Sequence, residues 1–431
     1  MMEANKVEII SKEMIKPSSP TPPPLRIHKL SLLDQISPPV FIPLIFFYQD
    51  DDQLFHNINR ATKLEYCLKQ SLSEALTRFY PLAGRLGDNK SFIDCNDAGA
   101  EFIVAQVHGY SLSQVIETPK MEELREFLPR VYGNDDDDDD DDDDVLLAVQ
   151  VNLFDCDEGI AIGVCMSHKV GDGSSIVTFI NAYAAIARGQ GNAQIVQPNF
   201  NLAATLFPPI DLSNSSFKPS IGMKKEKLFM TKRFVFDKEK LDALKKSASS
   251  GSQVNDPTRV EALSAFLWKR LMKASRDSNK KMFAAVHAVN IRSRVNPTLP
   301  DYFFGNLWTA ALAFPEMVIG SVNTTNDDLV YQLRSAIRKI NSDYTKILEN
   351  GQEFMKHMGK LVELFSKGEV EFCNFTSWCR FPMYEVDFGW GKPVWVCTTT
   401  FPYENMIIFV STKCGEGIEA WVNMHVDDNI I

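Results

Sequence analysis

The residue whose setting best suits chemistry is His168, at the junction between an apolar run and a turn that contains glycine. Residues 168–173 read HKVGDG, so Asp172 stands four positions after the imidazole. A histidine presented at the end of a strand can act as a general base toward a hydroxyl or an amine. Taken alone, the pattern H-x-x-x-D is weak evidence for a catalytic site, because a match by chance somewhere in such a chain is roughly an even bet.

Competing catalytic groups find little support in the sequence. It contains no G-x-S-x-G motif, and its eight cysteines form no CxxC pair. We expect no metal site, because the ten aspartates of 135–144 lack the spacing of an ion cage and are predicted to form a solvated loop. The other histidines are predicted to be surface groups or satisfied core side chains: His28, His56, His108, His287, His357 and His425.

A second cluster lies near the end of the chain, where residues 387–393 read DFGWGKP. Its D-F-G triplet occurs in protein kinases, but no glycine-rich phosphate loop, V-A-I-K or H-R-D accompanies it. Two glycines around a tryptophan are typical of a tight turn.

The elements that must position His168 are a strand at 161–167 and an amphipathic helix at 174–188. Apolar spacing predicts a further helix around 64–76. A polar, proline-bearing stretch at 201–227 is predicted to connect two halves, 1–200 and 228–431. Other predicted strands are 40–48, 100–107, 145–154, 229–236 and 281–293; other predicted helices are 238–247, 259–272 and 327–365, the last broken near Gly351. Alternating strands and helices favour an α/β fold in both halves.

Composition excludes several classes of protein. A chain of 431 residues with 45% hydrophobic residues can build more than one core, and it has no apolar run long enough to span a bilayer. The aspartate run accounts for nearly all of the net charge of −11, and no basic stripe suits a nucleic acid. The amino-terminal residues lack the apolar segment of a secretory signal, so we expect a cytoplasmic protein with reduced cysteines.

The two motifs in this order resemble those of the plant BAHD acyl-CoA-dependent acyltransferases. The pair HxxxDG at 168–173 and DFGWG at 387–391 is far more specific than either half. The likeness extends over nearly the whole chain through YPLAGR at 80–85, DCND at 94–97, NIRSR at 290–294, GN at 305–306 and TSW at 376–378. Within the family it is strongest for the branch of vinorine synthase and other alkaloid and terpenoid acetyltransferases.

The resemblance implies two α/β domains like chloramphenicol acetyltransferase, joined by a crossover loop, with the active-site channel between them. His168 would be the base, and Thr376 and Trp378 would steady the tetrahedral intermediate as hydroxyl and indole donors. The alternative is that both residues have only a structural role, the threonine as part of a strand and the tryptophan as a packed side chain. The residues with an implied structural role are Asp172, paired with Arg292, together with Gly173, Asp387, Gly389, Trp390 and Gly391.

The resemblance also implies the reaction. We expect a monomeric O-acyltransferase that moves an acetyl group from acetyl-CoA, its cosubstrate, to a hydroxyl of an alkaloid or terpenoid, with no bound cofactor, nucleic acid or membrane partner. Alternatives are transfer to an amine, a longer or aromatic acyl donor, and a catalytically silent partner protein. Family members continue into a closing helix after the last strand, whereas this sequence ends soon after 419–424; we expect truncation or different terminal packing.

Overall fold

A computed structural model gives the architecture of most of the chain. It describes residues 7–49, 58–87, 90–109, 111–129, 145–155, 159–191, 195–212, 223, 229–249, 251, 254–274, 282–315, 325–367 and 370–425. The aspartate run 135–144 lies outside these residues, so its prediction as a solvated loop stays a prediction.

Strands and helices alternate along the chain, as predicted for an α/β fold. In chain order the described elements are β1 (Val7–Ile15), β2 (Ile27–Lys29), α1 (Leu32–Ile36), β3 (Phe41–Gln49), α2 (Ile58–Arg78), β4 (Arg85–Leu86), β5 (Phe92–Asp94), β6 (Ala100–Val107), α3 (Leu112–Glu117), α4 (Met121–Glu126), β7 (Leu147–Phe154), β8 (Gly159–Ser167), α5 (Gly173–Ala187), α6 (Asn201–Leu206), β9 (Phe229–Phe236), α7 (Lys238–Ala248), α8 (Arg259–Ala274), β10 (Met282–Asn290), β11 (Trp308–Ala313), α9 (Asn326–Lys339), α10 (Ser342–Glu349), α11 (Gly351–Ser366), β12 (Val370–Ser377), β13 (Trp395–Cys397), β14 (Met406–Ser411) and β15 (Ile418–His425).

The first compact unit comprises Met1–Pro209, Pro300–Leu307 and Phe381–Thr399. Its six-stranded sheet has the order β1-β6-β7-β8-β3-β13, in which only β6 and β7 pair in parallel. Every residue of β8 is buried, which agrees with its unbroken apolar sequence. Helices α2 and α5 pack against each other, and the hydroxyl of Tyr183 donates to the carbonyl of Leu68 at 3.0 Å. A small sheet, β2-β5-β4, completes the described strands of this unit.

The second compact unit comprises Ile210–Leu299, Trp308–Arg380 and Thr400–Ile431. Its six-stranded sheet has the order β11-β10-β12-β14-β15-β9, with β12 parallel to both β10 and β14. Helices α7, α8 and α9 pack on one another. Trp268 of α8 is fully buried, and its indole nitrogen donates to the carbonyl of Phe283 at 3.1 Å.

The contiguous division predicted from sequence differs from these units. Residues 300–307 and the segment that contains DFGWG belong to the first unit, although both follow residue 228. The reason is backbone pairing: β13, just after DFGWG, forms an antiparallel ladder with β3. The predicted crossover also begins differently, since its first residues form α6, and Pro209 still belongs to the first unit.

None of the described helices combines the length and the hydropathy that crossing a bilayer requires.

Candidate active site

His168 is the first residue after β8, at the turn that leads into α5, as the sequence predicted. Its backbone N–H donates to the carbonyl of Val40 at 2.8 Å, which ties the turn to the start of β3. His168 is surrounded by protein but keeps some solvent-accessible area as a residue, whereas its neighbours Ser167 and Lys169 are buried. A histidine with this residual access on a fixed backbone can meet a substrate without losing its orientation.

The imidazole of His168 is held by the side chain of Asn306. Asn306 Nδ2 donates to the carbonyl of His168 at 2.7 Å and to Asp34 Oδ1 at 2.9 Å. Both partners of Nδ2 are acceptors, so Asn306 Oδ1, which lies 2.9 Å from His168 Nδ1, must accept a hydrogen from that nitrogen. The neutral imidazole therefore carries its proton on Nδ1 and its lone pair on Nε2.

Burial lowers the pKa of His168 below its usual range, while Asp172 and Asn306 act in the opposite direction. The imidazole is therefore neutral at pH 7. A neutral imidazole with its lone pair on Nε2 is the form that a general base requires.

Asp172 caps the helix that follows His168. Its Oδ1 accepts from the backbone N–H and the hydroxyl of Ser175, at 3.0 and 3.1 Å, and its Oδ2 accepts from the N–H of Leu307 at 3.0 Å. Its carboxylate thus joins the start of α5, at Gly173, to the segment that carries Asn306. These contacts are those of a structural residue.

Gly305 precedes Asn306 in a backbone conformation that suits glycine, with φ at +123°. Its N–H donates to the hydroxyl of Ser175 at 3.1 Å, and its carbonyl lies 3.0 Å from that hydroxyl, whose single hydrogen it shares with Asp172 Oδ1. A side chain here would also come within 3.3 Å of Ala203. The turn that presents Asn306 therefore depends on this glycine.

The DFGWG segment forms a turn in the first unit. Asp387 Oδ1 accepts from the N–H groups of Gly389 and Gly391, at 2.8 and 3.0 Å, and both glycines have positive φ, +110° and +106°. Arg188, at the end of α5, donates to the carbonyl of Asp387 at 2.8 Å. Trp390 stacks on the preceding Phe388 at 5.3 Å. The segment has the geometry of a tight, hydrogen-bonded turn.

The remaining predicted site residues lie in the second unit. Thr376 is on β12 opposite Ile408, and the backbone N–H of Trp378, just after that strand, donates to the carbonyl of Phe409 at 2.8 Å. Trp378 is buried, while Thr376 keeps partial exposure. Arg292 is almost fully buried, and its backbone N–H donates to Asn290 Oδ1 at 3.0 Å. The pairing of Arg292 with Asp172 and the roles of Thr376 and Trp378 stay predictions.

Two residues that hold His168 escape sequence reasoning. Asn306 enters there only as part of a family match, and Asp34 has no predicted role. The spacing S-x-x-D at 31–34 is a signal for a helix start, and the structure has a capping box there. Nothing local to Asn306 signals its contact with His168, and nothing local to Asp34 signals its contact with Asn306. Within the described part of the chain, no cluster of three histidine, cysteine or acidic side chains could hold a metal ion.

Comparison with known proteins decides the family. The model of a family described as the transferase family matches residues 5–428. Stemmadenine O-acetyltransferase of Catharanthus roseus is 42% identical over 430 residues, which is 99% of this chain and 96% of that protein. The chain belongs to the BAHD acyltransferase family.

Vinorine synthase of Rauvolfia serpentina is also 42% identical, over 99% of this chain and 96% of its own length. Its crystal structure superposes with a TM-score of 0.83 over 98% of this chain and 95% of that one, at 41% identity. A complex of F. sporotrichioides TRI101 with coenzyme A and T-2 has a TM-score of 0.71 over 93% and 95% of the two chains; at 17% identity it shows the fold alone. The predicted family, its branch, the two-domain α/β fold and the enzyme class are confirmed.

Proposed function

We propose that this acyltransferase moves an acetyl group from acetyl-CoA to a hydroxyl of an alkaloid or terpenoid. Its relatives include O-acetyltransferases of alkaloids and limonoids, which supports both the acyl group and the acceptor class. The relative stemmadenine O-acetyltransferase, at 42% identity, is named for the transfer of an acetyl group to an oxygen atom. TRI101, which shares this fold, forms a complex with coenzyme A.

The observation that carries the mechanism is the hydrogen bond between His168 Nδ1 and Asn306 Oδ1. With the proton on Nδ1, His168 Nε2 removes the proton of the acceptor hydroxyl as the oxygen attacks the thioester carbonyl. The tetrahedral intermediate then collapses, the carbon–sulfur bond breaks, and the imidazolium returns its proton to the departing thiolate. The products are the ester and free CoA, and no covalent acyl-enzyme forms.

The oxyanion of that intermediate requires hydrogen-bond donors. The hydroxyl of Thr376 and the indole N–H of Trp378 are the donors that we propose, as the family resemblance implies. Preorganised donors of this kind are worth about 10²–10³ in rate. The enzyme works as a monomer in the cytoplasm, and its partners are the acyl-CoA and the acceptor alone.

A donor screen tests the proposal. Purified protein is incubated with acetyl-, malonyl-, benzoyl- or hydroxycinnamoyl-CoA and a pool of alkaloid and terpenoid alcohols and amines, and the products are identified by mass. We expect a gain of one acetyl group on an alcohol. Product only with another donor, or only on an amine, would replace this function by one of the alternatives.

His168→Ala identifies the base in the same screen. Removing a general base is expected to lower turnover by about 10²–10⁴-fold, while binding of CoA, followed by calorimetry, persists. His108→Ala is the matched control, because His108 is an exposed histidine of the same unit that pairs with Asp155 at 2.8 Å. Undiminished turnover in His168→Ala would overturn the mechanism.

A further inference from the structure

We propose that Asp34 is a positioning residue for His168: its carboxylate fixes the side-chain amide of Asn306, and that amide fixes which imidazole nitrogen carries the proton. The consequence for catalysis rests on the proposed function, whereas the consequence for the imidazole proton does not.

The first step is the saturation of Asp34 by donors. Its Oδ1 accepts from the backbone N–H and the Nδ2 of Asn306, at 2.8 and 2.9 Å. Its Oδ2 accepts from the backbone N–H and the hydroxyl of Ser31, at 2.9 and 2.6 Å. The carboxylate is 2% exposed, so these four bonds replace the water that it gives up on folding. Such a group accepts at every position that it offers.

The second step is the polarity of the Asn306 amide. An amide can rotate and exchange its oxygen with its nitrogen. Burial raises the pKa of Asp34, while its bonds to Ser31 and Asn306 act in the opposite direction. Asp34 Oδ1 accepts from the backbone N–H of Asn306, so this oxygen carries no hydrogen to donate to the amide. Nδ2 of Asn306 therefore faces Asp34, and Oδ1 is left to face His168 Nδ1, 2.9 Å away. If the amide turned over, Nδ2 would face Nδ1 and the imidazole proton would move to Nε2. Asp34, together with the carbonyl of His168 that also accepts from Nδ2, thus selects the tautomer whose Nε2 is a base.

The third step concerns the charge of Asp34, which the ammonium of Lys169, in the same unit, opposes with a positive charge. The ammonium of Lys169 is buried and donates to the carbonyls of Gln35 and Ser37, at 2.9 and 2.5 Å, at the end of α1. Burial lowers the pKa of Lys169 to about 8, and the charge of Asp34 opposes that fall. Because Lys169 directly follows His168, the helix that carries Asp34 is tied to the backbone of the histidine independently of Asn306.

The test begins with Asp34→Asn, which keeps the shape of the side chain and removes its charge. An asparagine at 34 can present its nitrogen to Asn306 Nδ2; the carbonyl of His168 is then the one acceptor of the two that still holds the Asn306 amide in its present orientation, so the reversed orientation becomes populated as well. Nitrogen-15 NMR of histidine-labelled protein without substrate reports the tautomer of His168, assigned with His168→Gln. We expect Nδ1–H in the parent and a mixture of tautomers in Asp34→Asn.

A matched control is Glu101→Gln. Glu101 is a buried carboxylate of the same unit, 3% exposed and paired with Lys12 at 2.7 Å. The Glu101→Gln substitution should leave the nitrogen-15 NMR signals of His168 unchanged. An unchanged tautomer in Asp34→Asn would overturn the proposal. Should that variant fail to fold, Asp34→Ser carries the test, because a hydroxyl can donate to the oxygen of the Asn306 amide as well as accept from its nitrogen, and must therefore also release the proton from Nδ1.

The kinetic consequence is measured once a donor and an acceptor are known. We expect kcat of Asp34→Asn to fall to the fraction of the parent value that the NMR gives for Nδ1–H, which is about twofold for an even mixture, with KM for both substrates unchanged. In the Asn306→Ala background, Asp34→Asn should lower kcat no further, because the Asn306 amide that Asp34 positions is already absent. Additive losses would contradict action through Asn306. A shifted tautomer with undiminished kcat would overturn the role of His168 as base, and so the proposed function, while the positioning of the proton would stand.

Discussion

Burial gives His168 a low affinity for protons, and this sets how the enzyme should respond to acid. Its pKa lies below 6.5 because desolvation disfavours the imidazolium, and the Asn306 contact offsets only part of that effect. The imidazole is therefore neutral in the resting enzyme. In the proposed mechanism it accepts a proton in the transition state and carries a positive charge only during the reaction.

The pH dependence of kcat/KM follows from this pKa. Since the base must be unprotonated, the rate should stay level as pH falls from 8 to about 6.5 and decline only below that, as pH passes through the lowered pKa. Initial rates in constant ionic strength measure the profile. Returning samples from low pH to pH 7.5 before assay distinguishes titration from unfolding. An inflection above about pH 6.5 would show that burial does not lower the pKa of His168.

At the scale of elements, the turn between β8 and α5 is held by the cap that Asp172 provides. That carboxylate binds both the helix start and Leu307, so its loss should loosen the segment that carries Asn306 as well as the helix. The DFGWG turn is a second such device, because Asp387 holds two backbone N–H groups whose glycines have positive φ.

Removal of the Asp172 cap should lower both stability and rate. For Asp172→Ala we expect a loss of about 2 kcal/mol or more in the free energy of unfolding, since a cap is worth about 1 kcal/mol and further buried donors lose their partner. Urea denaturation measures it. The matched control is Asp237→Ala, an exposed cap that accepts from Lys240 N at 2.9 Å, with a loss of about 1 kcal/mol or less. An active, fully stable Asp172→Ala protein would refute the structural role.

The glycines of the DFGWG turn give a cleaner test of backbone strain. An added Cβ at Gly391 would meet no atom within 4 Å, so Gly391→Ala should cost only the conformational penalty of φ +106°, at least about 1 kcal/mol. Gly191→Ala is the control, because that glycine also faces open space and its φ lies outside the strained range. It should be neutral or slightly stabilising. Equal melting temperatures for the two variants would disprove the strain.

Helices and strands could be predicted from the sequence where the residues that determine them are neighbours along the chain. β9 has the predicted bounds, and the strand and helix around His168 were also predicted. The helical stretch predicted from residue 327 has the predicted break near Gly351, where α11 begins. It has a second break that was not predicted, because Asn341 caps α10 through its side chain while the apolar spacing continues across it. Asp34 and Asn306 could not be linked, since their contact joins residues 272 positions apart.

At the scale of the whole molecule, burial of histidines in both units should make the protein sensitive to acid. His28, His168 and His287 all have pKa values lowered by burial. For each, the unfolded chain binds a proton at a higher pH than the folded chain does. Stability is therefore complete above about pH 6.5 and is lost as pH falls toward the folded pKa. For His28 that pKa is about 4.

The effect of a buried histidine on the pH dependence of stability can be measured at His28. Between pH 7 and pH 5 its titration should remove about 2 kcal/mol from the free energy of unfolding, given its lowered pKa of about 4. His28→Gln cannot titrate, so the difference between urea denaturation at the two pH values should shrink by about that amount. His108→Ala should instead widen that difference, because the contact with Asp155 raises the pKa of this exposed histidine, so its charged form stabilises the folded chain at low pH. An unchanged difference in His28→Gln would contradict the burial effect.

The first unit is assembled from three separate stretches of chain, and this has a consequence for synthesis on the ribosome. Strand β13 pairs with β3, yet it is translated about 350 residues later, which at ordinary elongation rates is tens of seconds. Until then Ile45–Phe47 of β3 lack their partners on that side of the sheet. The nascent protein therefore carries an apolar strand edge open to aggregation or to a chaperone for most of its synthesis, and Asn306 reaches His168 only in the later part of that period.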